Sequence, residues 1–332
     1  MPDTDRYSRQ VLVKQVGLSG QKKLSTSRVL IVGLGGLGCQ VSAQLAGAGV
    51  GSLSLIDNDA VDLSNLHRQI LFRESDIGES KVLTAQRELI AINSSLQISA
   101  TQAKLSTNNV TALVKRVDLV IDAADNFLTS YLLSDECFKQ RIPLLTASVN
   151  RSFGYLGVFC GDTKNPAPSL RALFPKLPKE QLSCDTVGVT GPSVGVIASL
   201  QAQEALKVLL DDQHQLLGEL LYVDLWDYKM HRVNFNSASE PSQTQAKIID
   251  YTQIIKNDLV IDVRNPDEIA NSPQPFATNL EIPLIELSDH LAELQNAARV
   301  VLACKSGQRA LIAAQILLDE GYDSVAVILP SD

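Results

Sequence analysis

Val29-Leu30-Ile31-Val32-Gly33-Leu34-Gly35-Gly36-Leu37-Gly38 decides the fold of this 332-residue chain. The uninterrupted apolar run Val29 to Val32 reads as a parallel strand buried on both faces, and the glycines behind it as a turn. From Gln40 to Ala48 the residues are small and apolar enough for a buried helix. Ser52-Leu53-Ser54-Leu55-Ile56 then reads as a second strand ending at Asp57. Strand, glycine turn, helix, strand, acid is the order of a dinucleotide-binding unit. Glycines let backbone N–H groups approach a phosphate at the positive end of the helix, and the acid accepts hydrogen bonds from ribose hydroxyls. The unit predicts a bound nucleotide, and alone it fits NAD at least as well as ATP.

The residues beyond Asp57 shift the balance toward a triphosphate. Asn65-Leu66-His67-Arg68-Gln69 places a guanidinium shortly after the second strand, and Lys81 opens a helical stretch, Lys81 to Ile92, behind the breaker Gly78. Backbone amides largely satisfy the diester pyrophosphate of a dinucleotide. A triphosphate carries more charge and a leaving pyrophosphate, for which fixed Arg and Lys groups are the usual answer. Val117 to Asp122 reads as a further strand leading into Ala123-Ala124-Asp125-Asn126, at a carboxyl end where α/β proteins build sites. Asp125 suits Mg²⁺ there. Each residue also has a plainer reading, Arg68 and Lys81 on solvated surfaces and Asp125 as a helix cap. The ordered set speaks against all three plainer readings together.

These residues resemble the MoeB/ThiF family, bacterial relatives of ubiquitin-activating enzymes, over roughly Arg6 to Phe235. The matching motifs are Arg6-Tyr7-Ser8-Arg9-Gln10, the glycine loop Gly33 to Gly38, Asp57-Asn58-Asp59, Ser64-Asn65-Leu66-His67-Arg68-Gln69, Gly78-Glu79-Ser80-Lys81 and Asp125-Asn126. The resemblance implies ATP-dependent adenylation of a small ubiquitin-like sulfur carrier, of MoaD or ThiS type, at its C-terminal Gly-Gly. It assigns Asp57 to the ribose, Asn65, Arg68 and Lys81 to the phosphates, and Asp125 to Mg²⁺. Gly33, Gly35, Gly36 and Gly38, with Asp59, Gln69 and Asn126, complete the implied nucleotide set. Arg9 is assigned to the phosphates of the partner subunit's site, which implies a homodimer.

Composition fits a globular enzyme: 45% of residues are apolar and 20% charged. The net charge of −8 argues against nucleic acid as a general partner and would repel an acidic carrier at long range, so docking must use local basic or apolar patches. The uncharged stretch Val29 to Ile56 is interrupted by Ser, Gln and Gly, which suits a buried βαβ unit better than a membrane span. Met1 to Arg6 lacks an apolar signal core. Five widely spread cysteines fit a reducing cytoplasm.

The polar, proline-broken stretch 237–247 reads as a linker between an adenylation domain, 1–236, and a short second α/β domain, 248–332. In the latter, Leu259 to Arg264 and Val300 to Ala303 are strand candidates. The second strand leads into Cys304-Lys305-Ser306-Gly307-Gln308-Arg309 and a helical stretch from Ala310 to Glu320. Loop amides, the helix dipole and Lys305 would favour thiolate on Cys304; a buried, inert cysteine is the alternative. The segment resembles a rhodanese domain through Ile261-Asp262-Val263-Arg264 and the loop Cys304 to Arg309. By that resemblance Cys304 carries sulfur, with a cysteine desulfurase as the implied donor. The usual rhodanese His and Gly are missing where Ser272-Pro273-Gln274-Pro275-Phe276-Ala277 stands. The shortness of the domain leads us to expect it to dock on the first domain for stability, or to be a weak transferase.

Family members commonly bind structural zinc through two Cys-x-x-Cys pairs. Here Ser169-Leu170-Arg171-Ala172 stands at the first, and Cys39, Cys137, Cys160, Cys184 and Cys304 contain no pair at ligand spacing. Structural zinc is therefore expected to be absent, with Leu170, Leu173 and Phe174 packing in its place. Cys184, in a polar glycine-containing stretch, either attacks the acyl-adenylate or resolves a persulfide, or is a loop cysteine without chemistry. Asp185 beside it would raise its pKa.

The expectation is thus an α/β chain. A Rossmann-like mixed sheet with helices on both faces activates a carboxylate with ATP and Mg²⁺, and a smaller rhodanese-like α/β domain supplies sulfur. Molybdopterin synthase is the expected destination, with thiamine or tRNA-thiolation carriers as alternatives. An NAD-linked oxidoreductase leaves Arg68 and Lys81 unexplained, and a scaffold with degenerate sites leaves the intact phosphate set unexplained.

Overall fold

The computed structural model describes residues 5–176, 188–241, 245–295 and 297–330. Two sheets organise them. In the larger, the strand order is β3-β2-β1-β4-β5-β6-β7-β8. Its strands are β1 (Arg28–Val32), β2 (Ser52–Asp57), β3 (Gln97–Gln102), β4 (Leu119–Asp122), β5 (Leu144–Asn150), β6 (Phe153–Phe159), β7 (Glu219–Asp224) and β8 (Lys229–Asn234). β3, β2, β1, β4 and β5 run parallel, and β6, β7 and β8 continue antiparallel. This is the mixed doubly wound sheet that the sequence predicts. The strand expected from Val117 begins at Leu119, because Val117 still belongs to the turn that closes on Val114.

Helices cover both faces: α1 (Gly17–Leu24), α2 (Gly36–Ala48), α3 (Lys81–Ile92), α4 (Val110–Val114), α5 (Phe127–Gln140), α6 (Leu170–Leu173) and α7 (Gly191–Leu210). Alternate residues of one strand serve opposite faces. Val29 and Ile31 enter the core with Val41, Leu45 and Ile197 of α2 and α7, whereas Leu30 and Val32 enter the core with Val110, Leu128 and Leu133 of α4 and α5. A strand apolar at every position follows from having two such faces.

The second sheet has the order β11-β10-β12-β13-β9, with β9 (Lys247–Ile249), β10 (Asp258–Asp262), β11 (Leu280–Glu281), β12 (Arg299–Ala303) and β13 (Val325–Ile328), all paired in parallel. Its helices are α8 (Pro266–Asn271), α9 (Leu291–Leu294) and α10 (Gln308–Asp319). The two units are not separate cores. Val32, Leu128 and Leu133 share one apolar cluster with Ile261, Leu302, Leu311 and Ala314, so the expected docking of the short domain is what the structure describes. The linker-like stretch is anchored too: the Glu240 carboxylate accepts from the Ser169 N–H at 2.7 Å and its hydroxyl at 2.6 Å.

That bond lies where a first cysteine pair would stand. Leu170 is buried, Leu173 and Phe174 pack against the same cluster, and Phe174 makes an edge contact with Phe127 at 6.0 Å. Apolar packing is joined there by polar links that the sequence did not suggest. Arg171 donates to both Asp135 oxygens, at 2.6 and 2.9 Å, and lies over the Tyr131 ring at 4.4 Å.

Candidate functional site

The glycine loop leaves β1 at Gly33, whose φ of +87° is open to glycine at little cost. Its N–H donates to Ile56 O at 3.0 Å, and a Cβ here would lie 2.7 Å from Ala123 O. Gly38 is needed for a different reason: a Cβ there would lie 1.9 Å from Gly33 O, so helix and turn could not close on each other. Gly36 is hemmed by Val194 and the Arg68 stem, while Gly35 faces open space with Gln69 Nε2 at the margin, 3.9 Å from where a Cβ would be.

The N-terminus of α2 has no side-chain cap. By contrast α5 is capped by Asn126, which accepts from Thr129 N–H at 2.9 Å, and α7 by Thr190, which accepts from Ser193 N–H at 3.3 Å. Uncapped first-turn amides carry unsatisfied donors at the positive end of the helix dipole, the arrangement that receives a phosphate. Asn126 is therefore the cap that the plainer sequence reading gave to Asp125. Asp125 itself is exposed, and its described hydrogen bond is a weak one from Asn126 Nδ2 at 3.4 Å.

The predicted residues converge on this end of α2. Asp57, ending β2, accepts from the Leu34 N–H at 2.6 Å and the Asp59 N–H at 2.8 Å. Burial pushes its carboxyl up, against those two hydrogen bonds and the pull of Lys81. Lys81 is only 5% exposed, which removes the solvated-surface reading. Its ammonium donates to Asp59 at 2.9 Å and its N–H to Asp59 O at 2.9 Å. Arg68 differs: among the described residues it has no carboxylate partner. It donates to Ser64 O at 3.1 Å and lies 2.9 Å from His67 Nε2. Asn65 orders this turn from beneath, its carbonyl accepting from the Arg68 and Gln69 N–H groups at 3.0 Å each.

Three features escaped the sequence. His67, assigned no role from the sequence, lies 2.9 Å from the Arg68 guanidinium and braces it. Gln69 is 2% exposed with an Oε1 that finds no hydrogen-bond partner, an unusual state for a buried amide and one that a ligand would relieve. The start of α7 also presses on the site, since a Cβ on Gly191 would lie 2.3 Å from His67 O. The last of these carries no local signal, because it depends on chain brought in from more than a hundred residues away.

Arg9 is exposed on the segment that leads into α1, near the far end of α2, where the neighbouring Gln10 amide donates to Ala48 O at 2.8 Å. It is not brought to the glycine loop of its own chain. Cys184 lies outside the described residues. Among those described, no cluster of three His, Cys, Asp or Glu side chains could hold a metal, but Mg²⁺ needs only one or two carboxylates beside phosphate oxygens. Asp125, exposed at the carboxyl edge and weakly bonded, fits that role. A cleft of about 540 Å³ lies at the opposite, amino end of the sheet, away from the glycine loop; of its cations, Lys23 and Arg28 are neutralised by Asp211 and Asp118, and Arg141 lies over the Phe138 ring at 5.2 Å.

In the second sheet Cys304 follows β12 and is 4% exposed, its sulfur 3.4 Å from the Ala310 N–H of α10. One predicted cation is already committed: Arg309 donates to both Glu268 oxygens at 2.6 and 2.7 Å, which raises its pKa, with Cys304 adding a smaller effect. Lys305 alone of the two loop cations stands exposed without a carboxylate among the described residues. Behind the loop, Asp262 and Arg264 form a buried ion pair at 2.6 Å. The segment that replaces the usual rhodanese His and Gly serves this pair: Ser272 O accepts from Arg264 at 2.7 Å and Gln274 donates to Asp262 at 3.2 Å.

Comparison with known proteins matches residues 7–245 to the ThiF family and residues 244–329 to the rhodanese-like domain. The chain belongs to the ThiF family and carries a C-terminal rhodanese-like domain. It is 38% identical over 260 residues to the sulfur carrier protein adenylyltransferase of Thermus thermophilus, covering 75% of this chain and 95% of that protein. It is 37% identical over 276 residues to the adenylyltransferase and sulfurtransferase MOCS3 of Culex quinquefasciatus, covering 79% of this chain and 62% of the relative. The chain thus spans about three fifths of the length of that relative and of its counterparts in Anopheles gambiae, Dictyostelium discoideum and Aedes aegypti, at 57 to 62%. Among solved structures, E. coli MccB matches with a TM-score of 0.63 at 25% identity over 72% of this chain and 73% of MccB. MccB with ATP matches with a TM-score of 0.59 at 27% identity over 71% of this chain and 72% of MccB.

Proposed function

We propose that this protein adenylates the C-terminal glycine carboxylate of a small ubiquitin-like sulfur carrier with ATP, and then transfers sulfur to it from Cys304. The observation that carries this reading is the uncapped N-terminus of α2 facing Arg68, a guanidinium with no carboxylate partner among the described residues. NAD would not need that free cation. The names of the Thermus and Culex relatives, and the ATP named with MccB, support the same reading.

In the proposed reaction the α2 amides and Arg68 bind the phosphates, and Asp57 takes the ribose hydroxyls. Lys81 neutralises charge as pyrophosphate leaves, and Gln69 and Asn126 line the pocket. The carrier's carboxylate attacks the α-phosphorus, and fixed donors stabilise the oxygens where charge builds up. Mg²⁺ would be held by Asp125 and would supply charge neutralisation on the phosphates. Arg9 is assigned to the partner's site in a homodimer. The chain works as two units, 1–236 and 248–332, joined by 237–247, in the cytoplasm. No described helix is long and apolar enough to cross a membrane.

Sulfur reaches Cys304 as a persulfide from a cysteine desulfurase. Cys184 stands as a second thiol that joins the relay. The carrier is of MoaD type, serving molybdopterin synthase; ThiS and tRNA-thiolation carriers are the alternatives, separated by the carrier that co-purifies. The decisive experiment is ATP–pyrophosphate exchange with and without a Gly-Gly-ending carrier. Carrier-dependent exchange is expected, and hydride exchange with NAD in its place would end the reading. Cys304→Ala should abolish the thiocarboxylate detected by intact mass of the carrier; an unchanged yield removes sulfur transfer from Cys304.

A further inference from the structure

The loop that holds Cys304 is covered on one side: Lys305 and Ser306 are exposed, whereas Cys304 and Gly307 are buried. Gly307, at φ +80°, packs so closely on α5 that a Cβ would lie 2.3 Å from Leu128 Cδ2. Leu128 is itself 1% exposed. It is the second residue of α5, one turn or less past the cap Asn126 and three residues beyond Asp125 in the chain. The cysteine loop of one unit is therefore seated on the helix whose first turn borders the nucleotide end of the other. Two polar ties flank the seat: Lys176 binds both Asp319 oxygens at 2.7 and 2.8 Å, and Thr107 donates to Gln253 at 3.0 Å.

We propose that Leu128 and Gly307 form an interdomain seat that presents Cys304 to the activated carboxyl group on the same chain, so that sulfur passes in cis. This rests on the function proposed above. The terminal sulfur of the Cys304 persulfide attacks the acyl carbon of the acyl-adenylate. A C–S bond forms, the C–O bond to phosphate breaks, and AMP leaves with the electron pair. The product is an acyl disulfide between carrier and Cys304. A small-molecule thiolate then attacks the Cys304 sulfur, the S–S bond breaks, and the carrier departs as thiocarboxylate while Cys304 is left in a mixed disulfide that a second thiol reduces. Leu128 and Gly307 are positioning residues, since neither touches the reacting atoms. A glycine at 307 and a leucine at 128 are complementary in shape, and that fit sets how near the sulfur comes.

Mixing two full-length variants tests the inference. Cys304→Ala retains exchange but makes no thiocarboxylate, and Lys81→Ala lacks exchange. For transfer in cis, an equimolar mixture yields under one-twentieth of the parent's thiocarboxylate; recovery of a quarter or more overturns the proposal. The fit itself is read by rescue. Gly307→Ala should lower the thiocarboxylate rate at least tenfold, and adding Leu128→Ala, which empties the space the new methyl needs, should recover at least threefold. No recovery overturns the seat. If the parent protein shows no carrier-dependent exchange, the underlying reading has failed instead.

Discussion

Arg68 and Lys81 look alike in the sequence, as one cation each behind a glycine loop, but their surroundings differ. Lys81 is buried and already holds Asp59, whereas Arg68 is braced by His67 and Ser64 with its charge unmatched by a carboxylate among the described residues. Arg68→Ala should therefore cost the proposed adenylation most, lowering carrier-dependent exchange by about 100-fold or more. Arg68→Lys should recover part of it, as a point charge without the bidentate fork. Exchange at the parent rate in Arg68→Ala would take that residue off the phosphates. Asp122 is a second residue with a testable character. It ends β4 fully buried, accepts from the Ala124 N–H at 3.1 Å and Thr146 at 3.3 Å, and burial pushes its carboxyl up from 3.8 to about 6. A folded-state pKa above the unfolded one means that the folded state holds the proton longer, so stability falls as pH rises from about 4 to 6. Asp122→Asn removes that loss. Its thermal midpoint should exceed the parent's at pH 8, by an amount worth on the order of 3 kcal/mol, and the gap should close toward pH 4. A pH-independent gap would mean that Asp122 does not titrate as described.

At the scale of elements, α2 is the part on which the site depends. The glycines of its entry turn do different work, and of Gly33, Gly35, Gly36 and Gly38 only Gly35 leaves its space open. Gly38→Ala would drive a methyl into the Gly33 carbonyl at 1.9 Å, backbone that cannot swing aside as a side chain would. We expect about 2–3 kcal/mol of lost stability in urea unfolding, together with loss of exchange; a variant as stable as the parent would show that turn and helix are not locked together. The strands, the glycine turn and the helix Lys81 to Ile92 were readable locally, because period and composition carry them. The start of α7 against His67, and the orphaned Gln69 oxygen, were not. Nothing in residues 65–69 announces which distant helix end will cover them.

At the scale of the whole molecule, the two sheets share an apolar cluster that runs from Val32 and Leu128 to Leu302 and Leu311. Unfolding either unit alone would expose that surface. Calorimetry of the full chain should therefore give one cooperative transition whose van't Hoff and calorimetric enthalpies agree. Two resolved transitions would mean that the units are only tethered. The sequence offered a composition shift near residue 236 and, from the shortness of the second unit, the expectation that it docks on the first. Glu240 on Ser169 and Gly307 on Leu128 show which residues make that contact, which the sequence did not.

By itself the sequence determined what is encoded in neighbours: an α/β chain with a mixed sheet, a glycine turn, a following acid, two downstream cations, and a second cysteine-bearing α/β unit. Those features follow from hydrophobic period and from residues whose chemistry shows at short range. Only the tertiary structure decided that Arg68 has no carboxylate partner among the described residues, that the α2 end at the glycine loop has no side-chain cap, and that the cysteine loop rests on the helix beside the nucleotide end. Such pairings depend on how buried surfaces from distant segments close together, and burial sets both the partners and the charge states left to each side chain.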